Sequence, residues 1–276
     1  AGHDRPLQIF APSKRDGPKK RPRMTPPLSI DLSQNRALVT GASSGLGAHF
    51  ASVLAAQGAD LVLAARRTDK LEEVAAPLRA MGRDVHVVQM DVGSPEAVQA
   101  AFADMPACDI VINNSGIGQN SWLADMDEDE WQQLIDVNLS GVWRVSKQAV
   151  AMFRKEKTAG AIVNIASITA SRTALKSGAY AVTKAGVIHM TKSLAIEVAR
   201  EGIRVNALAP GYFQTELNAD FLGSEAGNRM AARIPQRRFG AMDELNLPLL
   251  MLAAKQNSYM TGATITVDGG HSINAL

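Results

Sequence analysis

From residue 36 onward, short and nearly continuous apolar runs alternate with segments of helical periodicity, and few folds can accommodate that pattern. The runs are "RALVT" (36–40), "ADLVLAA" (59–65), "DVHVVQMDV" (84–92), "CDIVINN" (108–114), "GAIVNIAS" (160–167), "IRVNALAP" (203–210) and "ATITVDGG" (263–270). Each reads as a strand buried on both faces. Between them lie predicted helices over 46–57, 69–81, 95–105, 128–156, 178–200 and 243–255. The 128–156 helix carries Trp131, Leu134, Ile135, Leu139, Val142, Val145, Ala149 and Met152 at helical spacing. Strands alternating with helices predict a parallel sheet covered by helices on both faces, in a single α/β domain.

The first strand runs into "TGASSGLG" (40–47) and then a helix. Glycines at such a turn let the backbone approach a pyrophosphate resting on the helix N-terminus. The spacing is G-x-x-x-G-x-G. Further along, "GAYAVTKAG" (178–186) places Tyr180 four residues before Lys184 among small side chains. On a helix, i and i+4 share a face, about 5–6 Å apart at Cβ. Taken alone, the pair is also what a surface tyrosine stacked on a lysine stem looks like. An ammonium about 4 Å from the phenol, at an effective dielectric of ~20, favours the phenolate by roughly 4 kcal/mol. That would bring a tyrosine from about 10 to near 7, where it can act in acid–base chemistry.

Taken together, Thr40 to Gly47, Asn113-Asn114-Ser115-Gly116, Asn138, Ser167, Tyr180 with Lys184, and Pro210-Gly211 resemble the short-chain dehydrogenase/reductase family. The interval of thirteen residues from Ser167 to Tyr180 is part of the likeness, and Ser115 stands where the family usually has Ala. The resemblance covers about residues 32–270. It implies a Rossmann-like, doubly wound, seven-stranded parallel sheet that binds a nicotinamide dinucleotide along its carboxyl edge. It further implies catalytic roles for Asn138, Ser167, Tyr180 and Lys184. Tyr180 would exchange a proton with the substrate oxygen and Ser167 would hold that oxygen. Lys184 would also bind the nicotinamide ribose, and the Asn138 carbonyl would hold a proton-relaying water. Cofactor contacts are implied for Gly41, Ser43, Ser44, Gly45, Leu46, Gly47, Arg66, Arg67, Asp91, Val92, Asn114, Ser115, Gly116, Tyr180, Lys184, Pro210, Gly211, Phe213 and Thr215. Asp91 would hold the adenine edge and Thr215 the nicotinamide half. A strand-end turn residue and a helix N-cap are their alternative readings.

The second strand ends in Ala65-Arg66-Arg67, where NAD-selective sites usually carry Asp or Glu. Guanidinium binds a 2′-phosphate bidentately, so NADP(H) is the expected cofactor, with NAD(H) possible. The expected activity is hydride transfer from NADPH to a ketone. Oxidation of an alcohol or sugar with NAD is the alternative, and a cofactor-sensing protein without turnover is a third. Residues 212–239 mix aromatic and polar side chains and read as a loop closing over a small-molecule carbonyl or alcohol substrate. Bacterial acyl-carrier-protein reductases look similar overall, yet Glu201 stands before "GIRVN" where they tend to carry Arg.

Charge divides the chain. Residues 1–27 hold seven Lys and Arg against Asp4 and Asp16, and the remainder is mildly acidic. Residues 1–30 are expected to be a basic, Pro-rich, disordered or non-native leader, with Met24 the natural start, and 31–276 the oxidoreductase domain. The leader lacks interleaved aromatics, so no nucleic-acid partner is expected. No apolar run suggests a membrane span. Cys108 is the single cysteine. It permits no intrachain disulfide and fits a reducing cytoplasm. The five histidines are scattered without metal-ligand spacing. A homotetramer through helices 128–156 and 178–200 is the assembly that the resemblance implies.

Overall fold

A computed structural model describes residues 29–119, 121–214 and 224–273. Seven strands form one sheet: β1 (Arg36–Thr40), β2 (Asp60–Ala65), β3 (Val85–Gln89), β4 (Ile110–Asn113), β5 (Ala161–Ile165), β6 (Arg204–Pro210) and β7 (Thr264–Val267). All pair in parallel in the order β3-β2-β1-β4-β5-β6-β7. The order reverses between β1 and β4, which opens a crevice at their carboxyl ends.

Alternation along each strand divides the core into two layers. Val39, Leu61, Leu63, Ile112 and Val163 face one side. There they meet Phe50 and Leu54 of α1 (Gly45–Ala56), Leu71 and Leu78 of α2 (Thr68–Ala80), and Leu249 and Leu252 of α8 (Asn246–Ala253). Leu38, Val62, Val111, Ile162 and Val205 face the other side. Over them lie α3 (Pro95–Asp104), α5 (Gly141–Glu156) and α6 (Gly178–Val198), which contribute Val98, Phe153 and Val198. A short α7 (Glu225–Ala231) lies beyond β6.

Local signals set the helix ends. Ser94 accepts from Ala97 N and is followed by Pro95, a favourable first helical residue. Helix α8 starts later than expected, after a 3-10 turn at Met242–Leu245. It stops at Ala253 because Arg204 takes the carbonyls of Leu252, Ala253 and Ala254.

The 128–156 segment is not one regular helix. Helix α4 (Glu128–Ile135) passes through a π-helical turn, Asp136–Ser140, into α5. Tertiary contacts select this irregularity. Arg144 donates to the carbonyls of Val92, Gly93 and Asp136 and to the Asp136 carboxylate. Gly141 packs so closely on Val92 that a Cβ there would lie 2.9 Å from Val92 Cγ2. The extra residue in the turn re-aims Asn138 toward the loop after β4.

Beneath the crevice lies a buried polar network. Asn113 Nδ2 donates to Ser146 Oγ and Asn164 Oδ1 at 2.9 and 2.8 Å, and Asn164 Nδ2 donates to Thr191 Oγ1 at 2.9 Å. It locks α5 and α6 over β4 and β5 in one register.

Candidate active site

The turn between β1 and α1 forms the floor of a groove of about 370 Å³. Gly47 is where the helix crosses the turn most tightly. A Cβ there would collide with the Gly41 carbonyl and come 2.6 Å from Asn114 Nδ2. At Gly45, φ is +54°, and a Cβ would meet no protein atom within 4 Å. Helix α1 starts without a side-chain cap and without an acidic first turn. Its first N–H groups therefore lack side-chain acceptors, a fitting seat for a pyrophosphate.

Thr40 joins the two loops at the crevice. Its Oγ1 accepts from the N–H groups of Asn114 and Ser115 at 3.0 and 3.1 Å. Asn114 Nδ2 reaches back to the Thr40 and Gly41 carbonyls. This reciprocal bracing explains the need for Thr and Asn at these positions.

Of the cofactor residues expected from sequence, Gly41, Ser43, Ser44, Gly45, Leu46, Arg66, Arg67, Asp91, Val92, Asn114, Ser115 and Gly116 border this groove. Gly47 lies just beneath it and is buried. Arg66 and Arg67 are exposed at its rim, and Arg67 donates to Ser43 Oγ at 3.4 Å. Asp91 Oδ1 accepts from Gly93 N. Met90 and Val137 also border the groove and were not identifiable as site residues, since each is an ordinary apolar residue in its own segment.

The groove continues into a second chamber of about 290 Å³. Ser167, Tyr180, Lys184, Pro210 and Gly211 meet there, with Leu46, Asn114 and Gly116 shared between the two spaces. Ser167 lies two residues after β5 and accepts from Thr169 N and Thr169 Oγ1. It is also hydrogen-bonded to Tyr180. Lys184 is buried and donates to the Ile165 carbonyl at 2.8 Å. Gln119 is a contributor that sequence patterns did not reveal. Its Oε1 accepts from Tyr180 N at 3.0 Å and so braces the start of α6.

One expectation needs correction. Tyr180 is not drawn toward neutrality. Burial raises its pKa above the usual tyrosine value, and the field of Tyr212 adds to this, while the Ser167 hydrogen bond acts in the opposite direction. Lys184 Nζ stands 5.6 Å from the centre of the Tyr180 ring, and burial lowers its own pKa to about 8. Burial is the leading cause for both groups, and it acts against the charged form of each. The Asn138 side chain is committed to the loop after β4, accepting from Ile117 N at 2.8 Å and donating to Ile117 O at 2.9 Å. It positions that loop. The Phe213 side chain is buried in the core against Gly240. Thr215 and residues 1–28 lie outside the described residues, as does part of the 212–239 segment.

The lowered Lys184 pKa has a measurable consequence. Between about 8 and the ordinary 10.5, the unfolded chain binds a proton that the cofactor-free fold does not. Stability should therefore rise across that window, by on the order of 3 kcal/mol for the full shift. Below pH 8 both states are protonated and the burial penalty is complete. Thermal unfolding of the parent and of Lys184→Met, followed from pH 7 to pH 10.5, should show the parent gaining stability relative to the variant. Parallel curves would disprove the shift.

Among the described residues no group of His, Cys, Asp and Glu could hold a metal, and no helix is long and apolar enough to cross a membrane.

The fold and this site define an α/β oxidoreductase of the dinucleotide-binding kind. The enoyl-(acyl carrier protein) reductase family model matches residues 41–272. The 3-oxoacyl-[acyl-carrier-protein] reductase of Staphylococcus aureus is 36% identical over 239 residues, covering 85% of this chain and 96% of the relative. The gluconate 5-dehydrogenase of Gluconobacter oxydans is 34% identical over 256 residues, covering 91% and 100%. A crystal structure of a gluconate 5-dehydrogenase from Burkholderia cenocepacia J2315, in complex with NADP and tartrate, superposes with a TM-score of 0.84 at 33% identity. That likeness covers 89% of this chain and 98% of the other. The chain belongs to the short-chain dehydrogenase/reductase family and is an NAD(P)-dependent oxidoreductase acting on CH–OH or C=O groups.

Proposed function

We propose that the protein is an NADPH-dependent reductase that converts a ketone to a secondary alcohol, reversibly. The carrying observation is one continuous groove with Arg66 and Arg67 at one end and Ser167, Tyr180 and Lys184 at the other. When bound, the nicotinamide supplies the hydride. The chain's residues do the rest. Ser167 Oγ holds the carbonyl oxygen as a hydrogen-bond donor, and the Tyr180 hydroxyl gives that oxygen its proton. Lys184 would bind the nicotinamide ribose, and Asn138 holds the loop that carries Ile117 against the chamber. Arg66 and Arg67 would hold a 2′-phosphate at the rim, where Arg67 is hydrogen-bonded to Ser43. Pro210 and Gly211 would border the nicotinamide end. Residues 31–276 form the working domain and the basic leader has no part in the chemistry.

The oxidative alternative, an alcohol or sugar dehydrogenase, draws support from the likeness to gluconate 5-dehydrogenase. Initial rates on a panel of ketones and alcohols with both cofactors test the two readings. NADPH-driven ketone reduction is expected to dominate. Faster NAD-driven oxidation would reverse the assignment.

We further propose a homotetramer built through α4, α5 and α6. Trp143 of α5 is 51% exposed, and Val182 and Ile196 of α6 are 48% and 79% exposed, more apolar surface than a solvated helix pair needs. Light scattering should give about 118 kDa, four times the 29.4 kDa chain. A monomer at micromolar concentration would refute this.

A further inference from the structure

We infer that the carbonyl substrate carries an apolar arm, alkyl or aryl, which lies on Trp122 and Leu123 with Leu175 beside them at the mouth of the catalytic chamber. This rests on the reductase reading and names its substrate class. Trp122 and Leu123 are 47% and 52% exposed, and Leu175 is 81% exposed. Large apolar side chains left in water at the edge of a cleft mark a surface that something covers.

Their placement ties them to the chemistry. Trp122 and Leu123 follow Gln119, which holds the backbone of Tyr180 through Oε1 and donates from Nε2 to the Ser121 carbonyl. Leu123 packs on Gly178, two residues before Tyr180, where a Cβ would come 2.9 Å from Leu123 Cδ2. Leu175 lies on the loop between Ser167 and Tyr180. That loop is pinned to the first by Lys176, whose Nζ sits 5.5 Å from the centre of the Trp122 ring. The cation holds the indole in place while leaving half of its surface open. A ketone held at Ser167 and Tyr180 thus has an apolar surface beside it for one of its substituents. A polyhydroxylated arm would leave the indole and leucines uncovered and would lose its own hydration against them.

The test uses the full chain with NADPH and measures kcat/KM for 2-butanone, 2-hexanone, 2-octanone, acetophenone and a polyhydroxylated keto acid. Each added methylene is expected to raise kcat/KM about three- to fourfold until the patch is covered. In Trp122→Ala the ratio of 2-octanone to 2-butanone should fall about tenfold, and Trp122→Phe should restore most of it. Reduction of ketones with no dependence on arm length, or a preference for the keto acid, overturns the inference and leaves the reductase reading intact. Failure to reduce any of the carbonyls overturns that reading, and the inference with it. If Trp122→Ala instead lowers the assembly size in light scattering, the patch is a contact between copies and the inference falls.

Discussion

Tyr180→Phe is expected to lower turnover at least ~10²-fold while leaving NADPH binding close to that of the parent. The substitution removes one hydroxyl and little volume, so the neighbouring packing has no cavity to fill. It takes away the group that hydrogen-bonds Ser167 and would protonate the substrate oxygen. A positioned acid contributes about 10²–10⁴-fold, and the low end of that range sets the expectation. The cofactor groove survives because its floor is the glycine turn, Asp91 and Asn114, none of which depends on the phenol. Because burial raises the phenol's pKa, ketone reduction by the parent should hold through neutrality and decline only at alkaline pH. The residual activity of the variant should lack that decline. Stopped-flow fluorescence of bound NADPH separates binding from chemistry. Turnover within tenfold of the parent would mean that another group delivers the proton.

The second large effect concerns the other end of the groove. Replacing Ala65 by Asp while changing Arg66 and Arg67 to neutral residues should shift the NADPH to NADH preference at least ~10²-fold toward NADH. A carboxylate and a phosphate charge about 5 Å apart repel by roughly 3 kcal/mol at an effective dielectric of ~20. Losing a charge-assisted contact adds about 1.5–3 kcal/mol. Arg66 and Arg67 are exposed at the rim, so solvent and salt screen part of this. About 2.7 kcal/mol surviving gives the hundredfold shift, since each 1.4 kcal/mol is a factor of ten. The kcat with the preferred cofactor should change little, because Ser167 and Tyr180 lie in the far chamber. Steady-state kinetics with both cofactors measure the shift. A parent that already prefers NADH would show that the arginines are not a phosphate clamp, and the oxidative reading would then lead.

Much of this molecule is legible in its sequence because its strongest signals are local. The strands are apolar on both faces, so each appears as an uninterrupted run, and all seven fall within a few residues of where the runs predict them, β3 and β7 stopping three residues short of theirs. The glycine turn is legible for a different reason. Gly47 must pass the Gly41 carbonyl without a Cβ, and no other residue type satisfies that. The spacing of Ser167, Tyr180 and Lys184 likewise reflects a local constraint, one strand end followed by one helix face.

What escaped was decided by contacts between segments distant in the chain. The π-turn at Asp136–Ser140 exists because Arg144, Val92 and Gly141 meet there, and a helical periodicity through 128–156 carries no trace of that meeting. Asn138 has its partner 21 residues away in Ile117, and Gln119 has its own 61 residues away in Tyr180. Met90 and Val137 join the groove only once β3 and the π-turn are side by side. The protonation of Tyr180 illustrates the difference most directly. Sequence determined that an ammonium would stand near the phenol, and a Coulomb estimate from that spacing favours the phenolate. The tertiary structure decided how much water each group keeps. Burial taxes the charged form of both, so the phenol's pKa rises and the ammonium's falls, and no local pattern of residues encodes that loss of solvent.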